Sequence, residues 1–62
     1  MADMKTFVEL SYNNPVHINA DNVKAVRDNP DDSGKSSWVE MMDGKIIYVL
    51  GNHADVAKKL SS

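Results

Sequence analysis

Between Trp38 and Leu60 the chain spells out a strand, a tight turn, a second strand and a capped helix. Trp38-Val39-Glu40-Met41-Met42 runs into Asp43-Gly44, and Lys45-Ile46-Ile47-Tyr48-Val49-Leu50 follows. Asp-Gly between apolar runs is a strong short-range hairpin signal, because a type I′ turn needs positive φ at both central residues. Val39 and Met41 share one predicted face, with Trp38, Glu40 and Met42 on the other. Ile46, Tyr48 and Leu50 alternate with Lys45, Ile47 and Val49, so both faces of this strand are largely apolar. Such a strand is expected in the middle of a sheet. Gly51 stops it, Asn52 is placed to cap a helix, and Asp55 follows at close to capping-box spacing. His53, Val56, Ala57 and Leu60 then keep the i, i+3, i+4, i+7 spacing of a one-sided helix, and Lys58 and Lys59 complement its negative end. The segment dictates architecture and supplies no reactive group. The sequence alone does not say what the protein does.

Upstream, Thr6, Val8, Leu10 and Tyr12 alternate with Lys5, Phe7, Glu9 and Ser11. Period-two alternation predicts a strand with one buried face, and Phe7 on the opposite side leaves room for that side to be partly covered too. Asn13-Asn14-Pro15 is a turn signal, since Asn tolerates left-handed backbone and Pro cannot donate to a ladder. Val16-His17-Ile18 resumes the alternation and completes a hairpin. Asn19-Ala20-Asp21-Asn22 predicts a short turn or a single helical turn capped by Asn19. Val23 to Asp28 reads as a third strand, and 29–36 as an exposed, flexible loop by its composition. The expected order is β-β-β-β-β-α. That is an α+β fold in which a small, mostly antiparallel sheet of four to five strands carries one C-terminal helix on one face. Residues 1–62 are expected to form a single domain, with 1–4 disordered.

At 62 residues the chain is close to the lower limit at which one core outweighs chain entropy. It has no cysteine, which removes disulfides and thiolate zinc sites as staples. Self-association is then the expected source of further burial. A net charge of −2 argues against a general polyanion binder. Met1-Ala2-Asp3-Met4-Lys5 lacks the layout of a signal peptide, and no apolar run reaches membrane-spanning length. The expectation is a soluble, cytoplasmic protein with no membrane association.

Val16-His17-Ile18-Asn19-Ala20-Asp21-Asn22-Val23-Lys24-Ala25-Val26 resembles the strand, Asn-Ala-Asp, strand element of the small flagellar FlbD family. Val39 to Val49, with the helix behind it, is similar to the second half of that pattern. The resemblance implies a short bacterial or phage protein and, at most, an assembly or scaffold role. His17, Asn19, Asp43-Gly44 and Leu60 more loosely resemble the C-terminal half of LytTR-type DNA-binding domains. In that family basic residues surround the His and follow the last strand. Here Asn13-Asn14-Pro15 and Gly51-Asn52-His53 stand in those places.

The chemical motifs are sparse. Gly34-Lys35-Ser36 resembles the end of a phosphate-binding loop, but Asn29 stands where the first Gly is required and no helix-forming stretch follows. Asp32-Ser33-Gly34-Lys35-Ser36-Ser37 resembles a phosphodegron, in a loop whose composition already accounts for it. His17 and His53 are the only imidazoles, too few with their neighbours for zinc. Asp28, Asp31 and Asp32 read as solvated loop charge, and no nucleophile sits in an activating motif. The chain is therefore read as a non-enzymatic module without catalytic residues, metal or cofactor.

Trp38 most invites a functional reading, because an exposed Trp–Met patch on a sheet marks partner surfaces. The leading expectation is a small bacterial or phage protein-interaction module that binds or inhibits a protein partner. It is expected to be a homodimer through a sheet face or edge. Trp38, Met42 and Phe7 would supply the surface, with Asp31 and Asp32 from the 29–36 loop. The ordinary reading of the same residues is that Phe7 packs beside Trp38 in a satellite cluster. The alternative function is a small LytTR-like nucleic-acid-binding regulator using Lys24, Arg27, Lys45, Lys58 and Lys59. It would require those cations to converge on one face.

Overall fold

In the computed structural model, which describes residues 4–62, each predicted element forms. The strands are β1 (Met4–Glu9), β2 (Asn14–Asn19), β3 (Val23–Asp28), β4 (Ser36–Met41) and β5 (Ile46–Leu50), and one helix, α1 (His53–Ser61), ends the chain. They form a five-stranded antiparallel sheet in the order β2-β1-β5-β4-β3, so β5 is central as its two apolar faces required. The expected disorder of 1–4 is corrected at Met4, which begins β1; residues 1–3 lie outside the described residues.

Connectivity forces this sheet to curl. β2 and β3 lie on opposite edges, yet only the three-residue 3-10 turn Ala20–Asn22 joins them. Four Cα steps reach at most about 15 Å, whereas the edges of a flat five-stranded sheet stand about 19 Å apart. The bend falls between β1 and β5, whose ladder holds the single pair Glu9↔Val49 and the bond from Leu10 N–H to the Tyr48 carbonyl at 2.8 Å. Inside the curl Phe7, Ile18, Val39, Val49 and Val56 form the core, with Val26, Met41, Ile47 and Leu60 packed around it.

Helix α1 closes the open side. Asn52 caps it reciprocally: its Oδ1 accepts the Asp55 amide at 2.9 Å, and its Nδ2 donates to the Asp55 carboxylate at 3.0 Å. Beyond Val8, β1 has outrun the end of β5. Leu10 N–H faces β5, so by strand alternation the Thr6 carbonyl points into the vacated space. Lys59 Nζ donates to that carbonyl at 2.6 Å and sits 4.9 Å from the centroid of the Phe7 ring. The helix thus satisfies a backbone group that the sheet leaves unpaired.

Four expectations are corrected. In β1 the buried side chain is Phe7, while Val8 and Tyr12 are exposed, because the concave side of the curl receives the odd-numbered set. Phe7 therefore belongs to the core and cannot pack beside Trp38 or supply a partner surface. The β4–β5 turn is not type I′. Gly44 N–H donates to the Met41 carbonyl and Met41 N–H to the Lys45 carbonyl, with positive φ at Gly44 (92°) and not at Asp43. That is a three-residue loop in which one left-handed glycine follows an ordinary turn. Finally, the 29–36 segment is buried at both ends. Pro30–Asp32 is a 3-10 turn, Asn29 donates its side-chain amide to Ser36 Oγ at 3.0 Å, and both residues are buried.

Candidate functional site

On the convex side of the sheet, register brings one apolar surface together. Trp38 stands directly across from Tyr48, with Leu50 and Ile46 one step along β5 on either side. The Trp38 and Tyr48 rings lie 5.8 Å apart at centroids, tilted by 32°. Antiparallel continuation of Glu9↔Val49 sets Val8 beside Leu50, and Val8 pairs in turn with Pro15. Ile46, Tyr48 and Leu50 are 40–45 % exposed, and Val8 is 37 % exposed. One-sided antiparallel sheets ordinarily show polar residues to water. This one shows a contiguous stripe of aromatic and branched side chains.

The stripe is bordered on the β3 side by charge. Glu40 receives Arg27 at 3.7 Å and Lys24 at 3.9 Å, all three at least partly exposed. Exposed pairs of this length contribute little stability; their effect is to mark where the apolar surface ends. Toward α1 the stripe runs into a groove of about 380 Å³ that Val8, Leu50 and Pro15 share with Phe7, Val56 and Lys59.

The predicted partner residues separate. Trp38 is half-buried at the centre of the stripe. Met42 has left the strand for the turn, where its N–H donates to the Asn22 carbonyl at 2.7 Å, and it borders a separate groove with Met41 and Ile47. The alternation that placed it beside Trp38 ends at Met41. Asp31 and Asp32 are carried by the 3-10 turn ahead of β4. The residues that sequence reasoning missed are Ile46, Tyr48, Leu50 and Val8. Their signal was present, since β5 is apolar on both faces and a single helix covers one.

The cations proposed for nucleic acid do not converge. Lys24 and Arg27 share Glu40 at the β3 margin, Lys45 follows the β4–β5 turn, and Lys58 and Lys59 ride on the helix. Lys59 is engaged by the Thr6 carbonyl and the Phe7 ring.

At the opposite end of β4 a polar cluster is structural. Ser37 Oγ donates to the Gly51 carbonyl at 2.7 Å, and Gly51 N–H donates to the Lys35 carbonyl at 2.8 Å. Ser36 and Ser37 are fully buried, so neither is available to a kinase or a phosphate in the folded chain. The Asp28 carboxylate accepts the Gly34 amide at 3.0 Å and the Ser33 hydroxyl at 2.7 Å. The Gly34 N–H first, then the Ser33 hydroxyl, hold its carboxyl below the ordinary value. Among the described residues no group of three His, Asp or Glu side chains is placed to hold a metal, and no helix is long and apolar enough to cross a membrane. Comparison with protein-family models, curated proteins and solved structures returns no match to this chain.

Proposed function

We propose that this chain is a non-enzymatic protein-interaction module whose working surface is the convex face of the sheet around Trp38. One observation carries the reading: that face exposes Ile46, Tyr48, Leu50 and Val8 together, where a solvated face would be polar. Aromatic residues at the centre of such a patch are the usual anchors of binding energy. Several polar groups elsewhere are committed to architecture. Asp28 holds the 29–36 turn, Ser37 and Asn29 tie β4 to its neighbours, and Asn52 caps the helix. An assembly component of the kind the FlbD resemblance implies would use this same surface. A nucleic-acid regulator would need a cationic face, and the scatter of Lys24, Arg27, Lys45, Lys58 and Lys59 does not support it.

The test is site-specific photo-crosslinking in the cells that make the protein. A photoreactive residue replaces Ile46 in one variant and Lys58, on the helix, in another. Protein adducts that form at position 46 and not at 58 are the expected result, whether the adduct is a second copy or another chain. No adduct at 46, or equal labelling at both, would remove the reading.

A further inference from the structure

We infer, resting on that reading of the convex face, that its occupant is a second copy of this chain packed sheet against sheet, and that this pairing adds to the stability of the fold. Three features select this occupant and this geometry.

The first is that both sheet edges are blunted. On β2, Pro15 has no N–H to offer a further strand. On β3, the register shift between Val23 and Ala25 leaves Lys24 as an extra residue, and Lys24 and Arg27 place charge along that edge. Strand addition is disfavoured at either margin, while the face between them is open.

The second is size. A stable interface takes about 800 Å² from each partner, about a fifth of this chain's 4144 Å² and about the share that one broad side of a 33 × 22 × 20 Å body presents. Trp38, Ile46, Tyr48 and Leu50 bring no charge to the centre of the face; Glu40 is paired on the β3 side with Arg27 and Lys24, which leaves one net positive charge per copy at that rim, open to solvent. Two copies can therefore meet without stranding an ion between them.

The third is the size of the core. Among the described residues five apolar side chains are buried, Phe7, Ile18, Val39, Val49 and Val56, with no disulfide to help. A core this small leaves little margin of stability, so further apolar burial on the convex face adds to it, and another copy is present wherever the chain is made. Twisted antiparallel sheets pack in this way about 10 Å apart with side chains interleaved.

The test is sedimentation equilibrium across concentration, with Trp38, the single tryptophan, as a fluorescent reporter. The wild type is expected to be a dimer with a dissociation constant on the order of micromolar or tighter. Its melting temperature should rise with concentration, and Trp38 emission should move to shorter wavelength as the dimer forms. Ile46→Lys with Leu50→Lys sets four ammonium groups against each other across the pair and should weaken association by about 100-fold or more. Lys58→Ala, on the helix, should leave it unaltered. If the double-lysine chain does not fold at dilution, the wild-type concentration series decides alone. A dimer whose Trp38 emission stays fixed overturns the face geometry, as does a dimer that survives both lysines. A wild type that stays monomeric to millimolar concentration overturns the pairing. In that case adducts to a different chain at position 46 would keep the interaction reading alive, and their absence would end both.

Discussion

Ile47 and Val49 point into the curl of the sheet, where Val49 is fully buried, while Ile46, Tyr48 and Leu50 on the same strand stand 40–45 % exposed. The two sides of β5 carry nearly the same hydrophobicity, so side-chain chemistry did not choose between them. Coverage did. The β1–β2 hairpin bends at Glu9↔Val49 and folds Phe7 and Ile18 over the concave side, and α1 adds Val56 and Leu60. Among the described residues no element is packed over Ile46, Tyr48 and Leu50. A small fold can thus bury one side of a two-sided strand and leave the other exposed.

Phe7→Ala should break that contrast most severely. The ring is 6 % exposed and lies beneath Lys59, so truncation leaves a cavity and removes the cation's partner. The cost should be about 3–5 kcal/mol, close to the whole stability of a domain of this size. Tyr48→Ala on the convex side loses the aromatic contact with Trp38, worth about 0.5–1.5 kcal/mol, and the partial burial of a ring that is 40 % exposed, but opens no enclosed cavity. In dilute solution it should cost clearly less than Phe7→Ala. Urea melts of both variants at low concentration measure the difference. If Tyr48→Ala proves as damaging as Phe7→Ala under monomeric conditions, the convex face is core and the comparison collapses.

Ser37→Ala sharpens the contrast at the other end of β4. Ser37 lies opposite Val49, is fully buried, and donates to the Gly51 carbonyl where the strand hands over to the helix. Losing that bond leaves an acceptor poorly paired and should cost about 1–2 kcal/mol. Hydrogen exchange should show the loosening at Gly51 and in the first turn of α1 before it reaches β1. A uniform loss of protection would mean that the hydroxyl serves the whole core and not this junction.

Much of the fold was legible in particular residues. Asn19 caps the 3-10 turn Ala20–Asn22, its side chain accepting the amide two residues on. Asn52 capped the helix as its spacing required, and the doubly apolar β5 stood at the centre of the sheet. What was not legible depends on curvature. Local alternation cannot tell concave from convex, so Phe7 and Val8 were exchanged. The Asp43-Gly44 pair guarantees a turn but not its length, and one extra loop residue carried Met42 away from Trp38. Composition marked 29–36 as open loop. Burial of Asn29 and Ser36 arises from long-range contacts that composition does not encode.

The smallest expected effect concerns that same loop. The Asp28 carboxylate holds the Gly34 amide and the Ser33 hydroxyl, and these bonds favour the charged form. Its folded pKa lies below the ordinary 3.8, so the unfolded chain binds this proton first as pH falls. The stabilisation is present in full above pH 3.8 and disappears as pH drops through the lower folded value. Asp28→Asn keeps the shape but donates where the carboxylate accepted, so it should lower the melting temperature slightly at pH 7. Below the folded pKa the wild type should have lost the same contribution, and the two melting curves should converge. Because the carboxylate is solvent-exposed, the difference should be small and should shrink with added salt. A gap between wild type and variant that persists unchanged to pH 2 would mean that Asp28 acts through loop geometry and not through its charge. The 29–36 turn would then join the concave face as architecture insensitive to solution conditions, leaving the convex stripe as the part of this molecule that answers to its surroundings.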